Sequence, residues 1–139
     1  MPASNYVGRY PPPWLVAKLV KVPYLYNAPD IPRGHPAYQS IRDFQNGRLT
    51  CTGPYSMEPD CSPGAAKAAV FGSGLAKMLG IKSKWVATSG ETCTIYRPQQ
   101  VTEVRMGRGD LLAVLHELSH AAFGPSEATA CAWSRRNHP

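Results

Sequence analysis

The sequence predicts an α+β domain: a small antiparallel sheet, with a supporting helix before it and an HExxH helix and a C-terminal helix after it, the whole preceded by a Pro-rich extended arm. Three observations carry that expectation. Residues 62–80 begin with Ser-Pro and end with Gly, the punctuation of a helix start and stop. Residues 84–106 change to runs rich in Val, Thr, Trp, Ile and Tyr, which suit a pleated, half-buried surface. Residues 110–123 return to a helical period, opened by Asp110 and stopped by Gly124-Pro125. Strands grouped together and flanked by helices, without repeating βαβ units, read as α+β.

Eleven of the 14 prolines fall in the first 63 residues. Proline fixes φ and removes a backbone donor, so this density favours extended segments joined by turns over long helices. Tyr6, Tyr10, Trp14, Leu15, Leu19, Tyr24, Leu25, Tyr26, Tyr38 and Phe44 still give the region apolar surface to bury, unlike a disordered tract. The expectation is an extended arm over residues 1–61 that packs along the domain or along a partner. Within it, residues 13–22 suit a short helix that Pro23 ends, and His35, between Gly34 and Pro36, reads as a loop residue.

Residues 62–139 form the expected metal-binding domain. Its first helix runs from the Ser62 cap to Leu79 with Ala66, Val70, Ala76 and Leu79 inward, and Gly72 and Gly74 predict a kink or a close packing contact. Strands over 84–88 and 92–97 flank Ser89-Gly90, which reads as a hairpin turn. A third strand over 101–106 alternates Val101, Glu103 and Arg105 with Thr102, Val104 and Met106. In the next helix Leu111, Leu115, Leu118 and Ala122 make the core stripe. Ser126 then caps a last helix holding Glu127, Ala130, Cys131 and Trp133, ahead of a basic end, Arg135 to Pro139, expected to fray.

The stretch His116-Glu117-Leu118-Ser119-His120 has a spacing with a chemical reason. Two histidines four residues apart lie one turn apart on one helix face, so both imidazoles can converge on one metal ion. Glu117 follows the first histidine directly, which sets its carboxylate beside the metal, where it can take a proton from water. This points to Zn2+ as cofactor and to Glu117 as general base.

The order of a supporting helix, a sheet, the HExxH helix and a following helix resembles the minimal core of the zincin metallopeptidases over about residues 62–136. In the glutamate-ligand branch, the gluzincins, the third ligand is a Glu among small residues on the next helix, and Glu127-Ala128-Thr129-Ala130 looks like that setting. The resemblance therefore implies a metal set of His116, His120 and Glu127, with His138 a further candidate. In the branch with HExxHxxGxxH, Gly and His stand where this chain has Phe123 and Ser126. The resemblance also implies a peptide or protein substrate lying along a sheet edge, for which residues 101–106 are the candidate, and an oxyanion donor, for which Tyr96 and His138 are candidates.

At 139 residues the chain is long enough for one domain with an ordinary core. The net charge of +6 is scattered, and Lys77, Lys82 and Lys84, its densest group, read as a solvated rim without a helix-turn-helix or aromatic RNA motif. Nucleic acid is therefore not the expected partner. No apolar run approaches the roughly 18 residues that span a bilayer, and the start lacks a signal-peptide pattern. The expected location is cytoplasmic, or within an intracellular or virion assembly. Reduced thiols follow, with Cys93 and Cys131 as core filler and Cys51 and Cys61 able to pair only under oxidation. The rival to a peptidase is a structural or assembly protein whose arm wraps a protein partner or a second copy and whose metal serves stability. Glu117 separates the two, since a purely structural site has no need of a general base.

Overall fold

The computed structural model describes residues 28–139, and its class is α+β. In order along the chain the elements are α1 (Pro36–Gln45), β1 (Ser56–Met57), α2 (Pro63–Leu79), β2 (Lys84–Ala87), β3 (Cys93–Ile95), β4 (Glu103–Met106), α3 (Leu111–Phe123) and α4 (Glu127–Asn137). The expected helix over 13–22 lies outside the described residues.

Helix α1 stands where extended chain and a loop histidine are expected. His35 is its N-cap, with Nδ1 accepting from the Ala37 amide at 3.0 Å, and Pro36 opens the first turn, where a missing N–H costs nothing. Ala37, Ile41 and Phe44 recur at helical spacing, and all are buried. Phe44 stacks on Phe71 of α2 with ring centroids 4.1 Å apart. Ala28, Ile31 and Cys51 enter the same core. Residues 28–51, from the expected arm, thus share one core with the domain that follows.

Helix α2 matches its expected limits: Ser62 accepts from the Ala65 amide, and Gly80 ends the helix in the left-handed conformation. Its buried face is wider than the expected stripe, with Ala65, Ala68, Phe71 and Leu75 buried and Ala66 and Val70 half-buried. The mid-helix glycines serve close packing. A Cβ on Gly72 would lie 2.1 Å from the Trp85 ring, and one on Gly74 would lie 2.7 Å from Cys51 Sγ.

The sheet is mixed, not antiparallel. Its order is β1-β2-β4-β3, with β1–β2 and β2–β4 parallel and β3–β4 antiparallel. The 84–88 and 92–97 segments therefore do not form a hairpin, because β4 lies between them. The cause is burial: Trp85, Val86 and Ala87 are all buried, the mark of an interior strand covered on both faces and paired on both sides. The expected alternation in β4 holds. Val104 and Met106 are fully buried in the core, while Glu103 and Arg105 bind each other at 2.8 Å on the other face, with Arg97 and Glu58 extending the network. Among the described residues, no helix is long and apolar enough to cross a membrane.

Candidate metal centre

Helix α3 is fixed at its start by Asp110, which accepts from the Ala113 amide at 3.1 Å, and along its length by Leu111, Leu115 and Leu118, all buried. That stripe turns His116 and His120 to a neighbouring face. At its end Gly124 takes φ 102°, a conformation few other residues adopt, and its amide bonds to the His120 carbonyl at 3.0 Å. Ser126 then caps α4 on the Thr129 amide, which brings Glu127 into the first turn of α4 beside both histidines.

The three side chains meet. Nε2 of His116 and of His120 are 3.2 Å apart, and the Glu127 carboxylate lies 3.0 Å from the first and 2.8 Å from the second. Two ligands held at zinc-bond length at a tetrahedral angle are about 3.3 Å apart, so the group fits a zinc ion after a small outward adjustment. His120 Nδ1 lies 2.9 Å from the Gly124 carbonyl, which can only accept, so Nδ1 carries a proton there and Nε2 is the ring nitrogen turned to the centre. His116 Nδ1 faces the Cys131 thiol at 3.9 Å. The depression beside the group, about 320 Å³, is lined by Thr92, Cys93, Thr94, Tyr96, Glu117, His120, Pro125 and Glu127, with two carboxylates and no Lys or Arg. Such a set of nitrogen and oxygen acceptors suits a divalent cation.

Glu117 stands next to this group but outside it. It is buried, Oε1 accepts from the Thr94 hydroxyl at 2.9 Å, and Oε2 lies 4.0 Å from His116 Nε2. A second depression of about 510 Å³ opens on its other side, between Gly90, Gly107, Leu112, Cys131 and Arg135. Glu117 and Thr92 line both, so the two depressions adjoin in one cleft at Glu117. Strand β3 forms the rim of that cleft and is an edge of the sheet, whereas the segment 101–106, expected as the edge, holds interior strand β4.

The remaining sequence candidates fall as follows. Tyr96 lines the cleft, its hydroxyl donating to the His120 carbonyl at 3.0 Å. Burial, and then the nearby Glu117 and Glu127, push its hydroxyl pKa well up, so it stays a donor. His138 is not part of the metal-competent group and its Nδ1 lies 3.0 Å from the Pro139 carbonyl. The C-terminal end is anchored instead of frayed. Asn137 is buried, accepting from the Ile31 amide at 2.9 Å, Arg136 binds Asp30 at 2.8 Å, and Trp133 donates to the Pro29 carbonyl at 2.8 Å. Residues 29–31 thus strap the helix that carries Glu127. All four cysteines are free. Cys51 is the buried one, its thiol pushed up by burial, while Cys93 and Cys131 are half-buried and line the cleft.

Comparison with protein-family models, with curated proteins and with solved structures finds no match to this chain.

Proposed function

We propose that the chain is a zinc-dependent hydrolase of the zincin type, acting on peptide or protein substrates. The observation that carries the reading is the convergence of His116, His120 and Glu127, with Glu117 placed beside that group and not in it. A site serving stability alone needs the first three residues and not the fourth. Zinc, when bound there, supplies a Lewis acid that polarises a carbonyl and lowers the pKa of water towards about 7.

The protein supplies the rest. Glu117 Oε2 takes the proton of the attacking water and hands it to the leaving amine, so one carboxylate acts first as base and then as acid. Strand β3, an edge of the sheet among the described residues, offers backbone donors and acceptors to an extended peptide, which would run past Glu117 between the two halves of the cleft. Tyr96 is the hydroxyl donor at that rim that would serve a developing oxyanion, on release from the His120 carbonyl. A location in the cytoplasm, or in a larger intracellular or virion assembly, belongs to the same proposal.

The test compares the parent chain, a His116→Ala/His120→Ala double variant and Glu117→Gln by elemental analysis and by cleavage of a mixed peptide library. The expected result is about one zinc per chain in the parent and in Glu117→Gln, little in the double variant, and turnover reduced about 100-fold or more in Glu117→Gln. Zinc bound with equal cleavage by parent and Glu117→Gln would remove Glu117 from the chemistry, and zinc bound with no cleavage would leave a structural metal site.

A further inference from the structure

A general base is useful only if one oxygen is held and the other left free towards the water. In this chain the residue that does the holding is on the sheet. Thr94 is the central residue of β3, and its hydroxyl donates to Glu117 Oε1 at 2.9 Å. A threonine hydroxyl has one proton to give, and a carboxylate can only accept, so the direction of this bond is fixed. Oε2 is left on the side of the metal group, 4.0 Å from His116 Nε2. Among the described residues, Thr94 is the one hydrogen-bond donor to Glu117.

The geometry makes this a tether between two parts of the fold. Thr94 pairs with Val104 across the β3–β4 ladder, and Val104 is fully buried in the core. Glu117 belongs to α3, which Leu115 and Leu118 lock into the core. The bond therefore runs from a sheet held by its core to a helix held by the same core, from Thr94 in the smaller depression to Glu117, which lines both. A β-branched side chain has few χ1 states, so Thr94 presents its hydroxyl in a narrow range of directions.

We infer that Thr94 is the positioning residue of Glu117: its hydroxyl pins Oε1 and so aims Oε2 at the substrate water. The inference rests on the hydrolase reading and adds to it a residue that acts through the base, on an edge strand, without touching the metal. No bond to substrate is made or broken by Thr94. Its contribution is orientation, which counts in the transition state and not in ground-state binding.

The experiment uses the full chain with zinc supplied. Thr94→Val removes the hydroxyl at nearly constant shape, Thr94→Ala separates loss of the hydroxyl from misfit of the added methyl, and Thr94→Ser keeps a donor. The expected result is a fall in kcat and in kcat/KM together of about 10- to 100-fold in Thr94→Val and Thr94→Ala, with KM and zinc content unchanged and Thr94→Ser close to the parent. A second readout needs no turnover. In urea unfolding, Thr94→Val and Glu117→Ala should be non-additive by about tenfold in the unfolding constant, because each removes the same bond to a charged group. Additive effects would show that the bond is not formed and overturn the inference. So would coupling without any change in kcat, which would make the contact structural only. A parent that cleaves while Thr94→Val and Thr94→Ala cleave equally well sinks the inference alone, and a parent that cleaves nothing sinks the hydrolase reading together with it.

Discussion

Replacing Gly72 by Ala should destabilise the protein, although glycine-to-alanine changes inside helices usually stabilise. The helical backbone at Gly72 suits alanine, and propensity alone favours the change by about 1 kcal/mol. The site decides otherwise. A Cβ there would lie 2.1, 2.5 and 2.6 Å from three atoms of the Trp85 ring, so the ring would have to retreat by more than 1 Å to reach an ordinary contact at 3.4 Å. Trp85 cannot do so freely. It is 1% exposed, its Nε1 donates to Ser83 Oγ at 2.9 Å, and its backbone pairs with Val104 in the sheet. Overpacking of a close-packed core costs about 1–3 kcal/mol, sometimes more, and loss of the Trp85 bond adds about 1 kcal/mol. The net effect is a loss of about 1–3 kcal/mol, or a Tm lower by roughly 4–12 °C for a chain of this size. Gly64→Ala is the control in the same helix, since a Cβ there meets nothing closer than 3.6 Å and should be neutral or slightly stabilising. Urea unfolding and calorimetry of both variants decide the matter. If Gly72→Ala equals or exceeds Gly64→Ala in stability, the packing of α2 against β2 described above is wrong.

Zinc at about 1,000 times its Kd should stabilise the parent by about 4 kcal/mol, a rise in Tm of roughly 12–20 °C in a thermal scan, absent in His116→Ala/His120→Ala and retained in Glu117→Gln. Burial holds His35 below its ordinary pKa of 6.5, and its Nε2 is buried without a hydrogen-bond partner among the described residues. The unfolded chain therefore binds the proton more readily, so the His35 contribution is complete above pH 6.5 and is lost as pH falls through the lowered folded value. In His35→Asn, which keeps a capping side chain without titrating, that limb of a stability-against-pH curve should flatten. Asn137→Ala should cost about 1–3 kcal/mol by leaving the buried Ile31 amide without its acceptor, and hydrogen exchange should show residues 29–31 and the end of α4 opening together.

Much of this molecule could be read along the chain because the interactions concerned are local. The caps at Ser62, Asp110 and Ser126 bond to amides three residues on, and all three form as the residue types predict. The stripe of α3 and the pairing of His116 with His120 follow from the helical repeat alone. Other signals were present and outweighed. His35-Pro36 ahead of Ala37, Ile41 and Phe44 is a capped amphipathic helix, concealed by the prolines around it. The uninterrupted Trp85-Val86-Ala87 is the pattern of an interior strand, concealed by Ser89-Gly90, which suggests a hairpin. Thr94 carried no signal at all, since nothing in a short strand says which helix residue its hydroxyl will meet.

The division follows the range of the forces. Capping, helical period and the offset of Glu117 from His116 act within a few residues, and they determined the three helices capped by Ser62, Asp110 and Ser126, the two histidines and the place of Glu117 beside them. The order of strands, the edge position of β3 among the described residues, the closing of Glu127 onto both histidines through Gly124, and the strap of residues 29–31 on α4 depend on which buried surfaces fit together. A parallel neighbour, a glycine under an indole or a carbonyl that receives a distant tryptophan is chosen by packing across the core, and adjacent residues do not encode that choice in any local pattern.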